Sequence, residues 1–386
     1  MKRFSANYIF PITNTPIKNG IVETDDKGTI LRIYPMGSEI SDTEFYNGII
    51  VPGFINTHSH LELAYLKDKL HPKTLPDFID QIITYYRTQQ EDVRWKIEKS
   101  READQLMYKN GIVAVGDISN HEYTAEIKAH SGILYHTFIE ILDDFNYKKG
   151  DEQLQKYFQL KKKFKRSSVA CHAPYSCSLF YVRKLVSLLE ASDIFSIHMQ
   201  ESEHENDFIG YAKGAYIDLY RKFNITFDAA LLKPTGRTSL YSYLPVMPRD
   251  KNVLFVHNVI TTEQEVEAVA EYSDRIYFSF CPKSNMYIQN RVPDFTRFKK
   301  VWNRCTIGTD SLASNTTLNI LEEMKLINIP FEEKLKWATI NGAKALNIAD
   351  KYGSLEIGKR PGLNLITPFD FNRMDLLPNS KVFRLI

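Results

Sequence analysis

The stretch Val51-Pro52-Gly53-Phe54-Ile55-Asn56-Thr57-His58-Ser59-His60-Leu61 decides how the chain is read. A short apolar run leaves a Pro-Gly pair and ends on two histidines separated by one residue. In extended backbone such side chains point to the same face, roughly 6.5–7 Å apart along the strand, which suits two ligands of one cation. The run has the length and composition of a buried strand. Outward from it the pattern recurs, with apolar runs at 112–117, 133–141, 169–172, 194–198, 253–257, 276–280 and 305–309. Helix-length amphipathic segments separate them, among them 75–100, 154–164, 181–191, 262–272 and 331–346. This alternation predicts βαβ units and a parallel sheet, hence an α/β fold. Eight strands in about 250 residues match a (β/α)8 TIM barrel. Neither Gly-rich phosphate-loop pattern occurs, so doubly wound nucleotide folds lose ground.

The two ends of the chain read differently. Strand-like runs at 8–10, 20–24, 29–34 and 48–51 are broken by Pro11, Asn19-Gly20 and Asp25-Asp26-Lys27-Gly28, and the style returns at 363–366 and 381–386. The spacing predicts one small β domain built from residues 1–50 and 353–386, flanking a barrel over 51–352. A net charge of +2 over 386 residues carries no basic surplus, which argues against nucleic acid and membrane as partners. The one basic block, 161–166, reads as a solvated helix end. No apolar run approaches the ~18 residues of a membrane span, and the N-terminus has no signal-peptide core, so a cytoplasmic location is expected. Four scattered cysteines predict reduced, buried thiols rather than a disulfide framework.

The reactive side chains fall at the carboxyl ends of the expected strands, where barrel active sites are built. His58 and His60 follow the first, His172 the fourth, His198 the fifth, His257 the sixth and Asp310 the eighth. His58, His60, His198 and Asp310 are the expected ligands of one divalent ion. Imidazole with carboxylate suits zinc or iron, and manganese also accepts the set. His71, His121, His130 and His204 lie in loops or loop–helix regions, and His136 inside a strand, with no ligand role expected.

In their order along the chain these motifs resemble the amidohydrolase superfamily. They are the 51–61 stretch, His172-Ala173-Pro174-Tyr175-Ser176, His198-Met199-Gln200-Glu201-Ser202, His257-Asn258, Cys281-Pro282-Lys283-Ser284-Asn285, Gly308–Asn315 and Gly353–Lys359. The resemblance implies a distorted (β/α)8 barrel with a composite β-sandwich from both termini. No lysine ends the fourth strand, where His172 stands instead, and His198 is followed three residues later by Glu201. Both features are similar to the mononuclear deaminase branch. There the resemblance assigns Glu201 to shuttle protons, His257 to orient the attacking water, and Asp310 to bind the metal and accept the water's proton. It places His172 and Ser311 against substrate. Displacing ammonia from an amidine-like carbon requires protonating a ring nitrogen and then the leaving amine, which one well-placed carboxyl group can do.

Residues 61–66, 75–79 and 308–315 resemble the aminodeoxyfutalosine deaminases of menaquinone biosynthesis, whose substrate is an adenine nucleoside carrying a carboxyphenyl group. Arg237, in Pro234-Thr235-Gly236-Arg237, is the cation expected to meet that carboxylate. Other amidohydrolase substrates remain open: guanine, adenosine or S-adenosylhomocysteine, triazines and imidazolones. A non-catalytic metal-binding scaffold is the reading from another class. A small-molecule substrate is the expected partner, and a homo-oligomer is left open.

Overall fold

A computed structural model describes residues 1–37 and 42–386. Among the described residues five strands open the fold: β1 (Lys2–Ile9), β2 (Ile17–Lys18), β3 (Gly20–Thr24), β4 (Ile30–Pro35) and β5 (Glu44–Pro52). Eight strands separated by helices follow. They are β6 (Phe54–Ser59), β7 (Ile112–Ser119), β8 (Leu134–Ile141), β9 (Ser167–Cys171), β10 (Phe195–Met199), β11 (Val253–His257), β12 (Ile276–Phe280) and β13 (Cys305–Ile307). Two more, β14 (Leu363–Asp370) and β15 (Asp375–Arg384), close the chain.

The terminal strands join in one sheet of order β15-β14-β5-β1-β3-β4, with β2 paired to β1. Strand β14 runs antiparallel to β5 with Leu365 opposite Ile50, so the two ends of the chain meet there. Phe4, Ala6, Ile9, Val22, Ile50 and Leu363 form its apolar core.

The eight middle strands form two parallel sets, β6–β9 and β10–β13. Backbone hydrogen bonds cross both seams between them. His198 N donates to His172 O at 2.8 Å on one side, and Thr309 N and Asp310 N both donate to His58 O at 3.0 Å on the other. The second seam also carries a parallel bridge between Ser59 and Asp310. Strands β6 and β7 are buried along their whole length, as expected where helices cover a parallel sheet. Gly308 lets the seam close, because a Cβ there would lie 2.8 Å from His58 Cβ and 2.9 Å from His58 O. That close approach carries Asp310 to the histidines.

One expected helix is two. The segment 75–100 contains the end of Leu75–Thr88 and the start of Val93–Lys109. Asp92 caps the second helix by accepting from Arg94 N at 2.9 Å, and the polar run Gln89-Gln90-Glu91 carries no apolar face to continue the first. The break frees Leu75–Thr88 to lie against the mouth of the barrel. All four cysteines are buried and unpaired. Among the described residues, no helix is long and apolar enough to cross a membrane.

Candidate active site

Strand β6 delivers His58 and His60 on one face, with their Nε2 atoms 3.1 Å apart. Asp310 Oδ1 lies 3.7 Å from His58 Nε2 and 3.5 Å from His60 Nε2. The His198 ring, at the end of β10, is centred 4.8 Å from that of His58. Its Nδ1 is 2.6 Å from His172 O, so Nδ1 carries the proton and Nε2 keeps its lone pair. Potential ligand atoms of His58, His60 and His198 all lie within 4.8 Å of one another. Two nitrogens bound to one tetrahedral zinc stand about 3.3 Å apart, close to the His58–His60 spacing.

Charge supports the same fit. Burial pushes His58 and His257 down to about 3 and holds His60, His198 and His172 below their ordinary value, so these rings are neutral at pH 7. Burial alone would raise Asp310, but the His58 hydrogen bond and the electrostatic pull of the His60 and His257 rings outweigh it and hold the carboxyl well below its usual range. Neutral nitrogens with one ionised carboxylate are a donor set ready for a divalent cation. Ser284 and Ser314 each donate to Asp310 Oδ2 at 2.6 Å, leaving Oδ1 turned to the histidines. Asp310 and His257 hold φ of 57° and 75°, left-handed values that cost non-glycine residues about 1–3 kcal/mol each and cluster at functional sites.

Glu201 follows β10 and is buried, with Oε2 3.6 Å from His257 Nε2. Burial first, then the charges of Asp310 and Glu205, raise its carboxyl well above the usual range. That shift favours the protonated form of the acid. Asn285 Nδ2 sits 3.1 Å from His257 Nδ1. An amide nitrogen can only donate, which leaves Nε2–H of His257 facing Glu201.

A cavity of about 470 Å³ opens beside the cluster. His60, Glu140 and His172 line its base, while Ile79, Ile82 and Ile83 from helix Leu75–Thr88 and Leu219 and Tyr220 from helix Ala215–Lys222 form its apolar wall. A larger hollow of about 690 Å³ lies at the opposite end of the barrel, by Ser167, Asn252 and Arg275, where β9, β11 and β12 begin. None of the histidine–carboxylate cluster residues lines it.

The structure thus brings His58, His60, His198, Asp310, Glu201 and His257 together and sets His172 in the cavity wall, where its Nδ1 is 2.6 Å from Ser176 Oγ. Two expected substrate contacts lie elsewhere. Arg237 is exposed and does not line the cavity; it follows Gly236, and its backbone N–H donates to Thr235 Oγ1 at 3.2 Å, turning that loop outward. Arg87 and Lys149 are the cations of the cavity wall instead. Ser311 is buried in a turn, accepting from Ala313 N at 3.2 Å, and it is Ser314 that reaches Asp310. Sequence reasoning also passed over Glu140, although an acid inside the apolar run 133–141 is itself a signal, since acids are almost never fully buried without a partner.

A closed parallel barrel whose strand ends converge on three histidines and an aspartate defines a hydrolase. The chain belongs to the Amidohydrolase family, whose sequence pattern matches residues 49–384. It is 27% identical over 370 residues to an adenosine deaminase of Helicobacter pylori, covering 91% of this chain and 85% of that protein. Its fold is similar to the crystal structure of Helicobacter pylori aminofutalosine deaminase in complex with methylthio-coformycin, with a TM-score of 0.81 and 22% identity, covering 96% and 93% of the two chains. It is also similar to a zinc-bound adenosine deaminase from Xanthomonas campestris, with a TM-score of 0.74 and 19% identity, covering 94% and 84%.

Proposed function

We propose that this hydrolase removes the amino group of an adenine-type nucleoside, using one divalent ion, zinc or iron, held by His58, His60, His198 and Asp310. The carrying observation is Glu201: a buried carboxyl group, its pKa raised by burial, 3.6 Å from His257 and beside an ionised Asp310. The cation, when bound, makes hydroxide available from water near neutral pH. The chain's own groups supply the rest. His257 orients the attacking water through Nε2–H, and Asp310 takes up its proton. Glu201 gives its proton to the ring nitrogen next to the amino-bearing carbon, then serves the leaving amine as it departs. A C–O bond forms, the C–N bond breaks, and ammonia leaves a ring carbonyl behind. The related proteins named as deaminases of adenosine and aminofutalosine support this choice of reaction.

Within that class we place 6-amino-6-deoxyfutalosine first, as a step of menaquinone biosynthesis in the cytoplasm. The apolar wall of Ile79, Ile82 and Ile83 suits an aromatic substituent, and Arg87 suits its carboxylate. The Arg87 guanidinium stacks over Phe223 and donates to Phe223 O at 3.0 Å, leaving further donors free for an anion. Residues 51–352 would then act as the catalytic unit, with 1–50 and 353–386 as its companion β unit. The test is ammonia release from a panel of 6-amino-6-deoxyfutalosine, adenosine, 5′-deoxyadenosine, S-adenosylhomocysteine, guanine and a chlorotriazine. Turnover confined to adenine nucleosides is expected, with aminodeoxyfutalosine the best substrate. Turnover of guanine or the triazine alone would overturn the reading.

A further inference from the structure

Glu140 has no part in the steps above. It is the penultimate residue of strand β8, is only 6% exposed, and lines the cavity base. One carboxyl oxygen, Oε2, accepts from Asn120 Nδ2 at 3.2 Å; the other, Oε1, has no hydrogen-bond partner. An unpartnered buried carboxyl oxygen costs free energy, so such a group persists where a ligand completes it. Its place narrows the ligand. Its carboxylate lies within 4.8 Å of potential ligand atoms of His172 and His198, on the cavity side of the histidine cluster, whereas Glu201 and His257 do not line the cavity.

The geometry points to Glu140 as the residue that reads the sugar hydroxyls of the nucleoside, an inference that rests on the deaminase reading. With the amino-bearing carbon of the six-membered ring at the histidine cluster, the ribose, carried by the five-membered ring across the purine, enters the cavity that the apolar wall bounds. Glu140 lines that same cavity, beside His172. A ribose hydroxyl donates to Oε1, and the neighbouring hydroxyl is within reach of the His172 imidazole, whose Nδ1 is already engaged by Ser176. A hydroxyl can donate to a carboxylate or accept from a carboxylic acid, so it satisfies Glu140 in either state.

The experiment compares kcat/KM for adenosine, 2′-deoxyadenosine and 3′-deoxyadenosine in the metal-loaded full chain and in Glu140→Ala. A site built around a hydroxyl rejects the analogue lacking it, so the wild type is expected to prefer adenosine over at least one deoxy form by roughly 100-fold. Glu140→Ala should cut that preference to within about 5-fold, mainly by slowing adenosine. A residue that merely held Asn120 in place would slow all three substrates equally, and that outcome overturns the proposal. So does a wild type indifferent to the hydroxyls, or a metal content that falls from two ions per chain to one in Glu140→Ala, which would make Glu140 a ligand of a second cation. If Glu140→Ala is inactive on every substrate, binding of inosine against 2′- and 3′-deoxyinosine by calorimetry carries the same ratio, and an unchanged ratio overturns the proposal. A wild type that deaminates no adenine nucleoside sinks the deaminase reading and this inference together. An active wild type whose preference survives Glu140→Ala sinks this inference alone.

Discussion

The histidine–carboxylate cluster and the apolar chamber above it share a boundary at His60, Glu140 and His172, yet they are built by different means. Cluster side chains stand at the ends of parallel strands or one to three residues past them, and most are pinned individually. His172 O holds His198, Ser284 and Ser314 hold Asp310, and Asn285 holds His257. Directly after His60, the buried Asp117 accepts from Leu61 N at 2.8 Å and pairs with Lys128 at 2.6 Å, which fixes where the chain leaves β6. The chamber wall is pinned far less: Tyr220 Oη donates to Tyr175 O at 2.9 Å, while its aliphatic side chains are held by packing alone. Ile79, Ile82 and Ile83 are half-buried residues of one helix, and Leu219 and Tyr220 belong to another. Hydrogen-bonded strand ends fix reacting groups to within the tolerance that chemistry demands, while apolar packing sets substrate size and leaves it open to change.

The sharpest way to break this contrast is on the chemical side. Glu201→Gln removes the proton but keeps the shape, so ammonia release should fall about 10²- to 10⁴-fold with metal content unchanged. Elemental analysis beside steady-state rates separates the two, and near-wild-type turnover would strip Glu201 of its role. A smaller effect is expected one bond further out. Ser284→Ala combined with Ser314→Ala leaves Asp310 Oδ2 without its two donors. Metal affinity should weaken roughly 10- to 100-fold, read by chelator competition. If affinity holds while only thermal stability drops, the serines support the fold rather than the cluster.

Legibility in the sequence follows the same division. The convergence of His58, His60, His198 and Asp310 was readable because a strand's period of two and its abrupt end put such side chains into short, fixed motifs. The barrel was readable for the same reason, through eight apolar runs covered by helices on the outside and by the barrel's own packed interior on the inside. Arg237 was misplaced because nothing local in Pro-Thr-Gly-Arg says which way a loop turns. Arg87 was missed because an arginine near the end of an amphipathic helix looks like any solvated one. The break after Thr88, which decides where that helix lies, depended on a cap at Asp92 that the amphipathic pattern over 75–100 masked. Glu140 was legible in principle, since its neighbours in the run are apolar, but which cavity it faces is a property of the closed barrel alone.

The gentlest test sits on the chamber. Ile82→Ala removes three carbons from a half-buried wall and touches nothing in the cluster. For a nucleoside whose 5′ substituent is large and apolar, KM should rise roughly 5-fold, the scale of about 1 kcal/mol of lost apolar contact, with kcat unchanged. Adenosine, whose 5′ hydroxyl does not extend to the wall, should be turned over as before. A fall in kcat with both substrates would mean that the wall also positions the reacting ring, and the division between fixed chemistry and adjustable selection would then have to be redrawn through the helix Leu75–Thr88 rather than at Glu140 and His172.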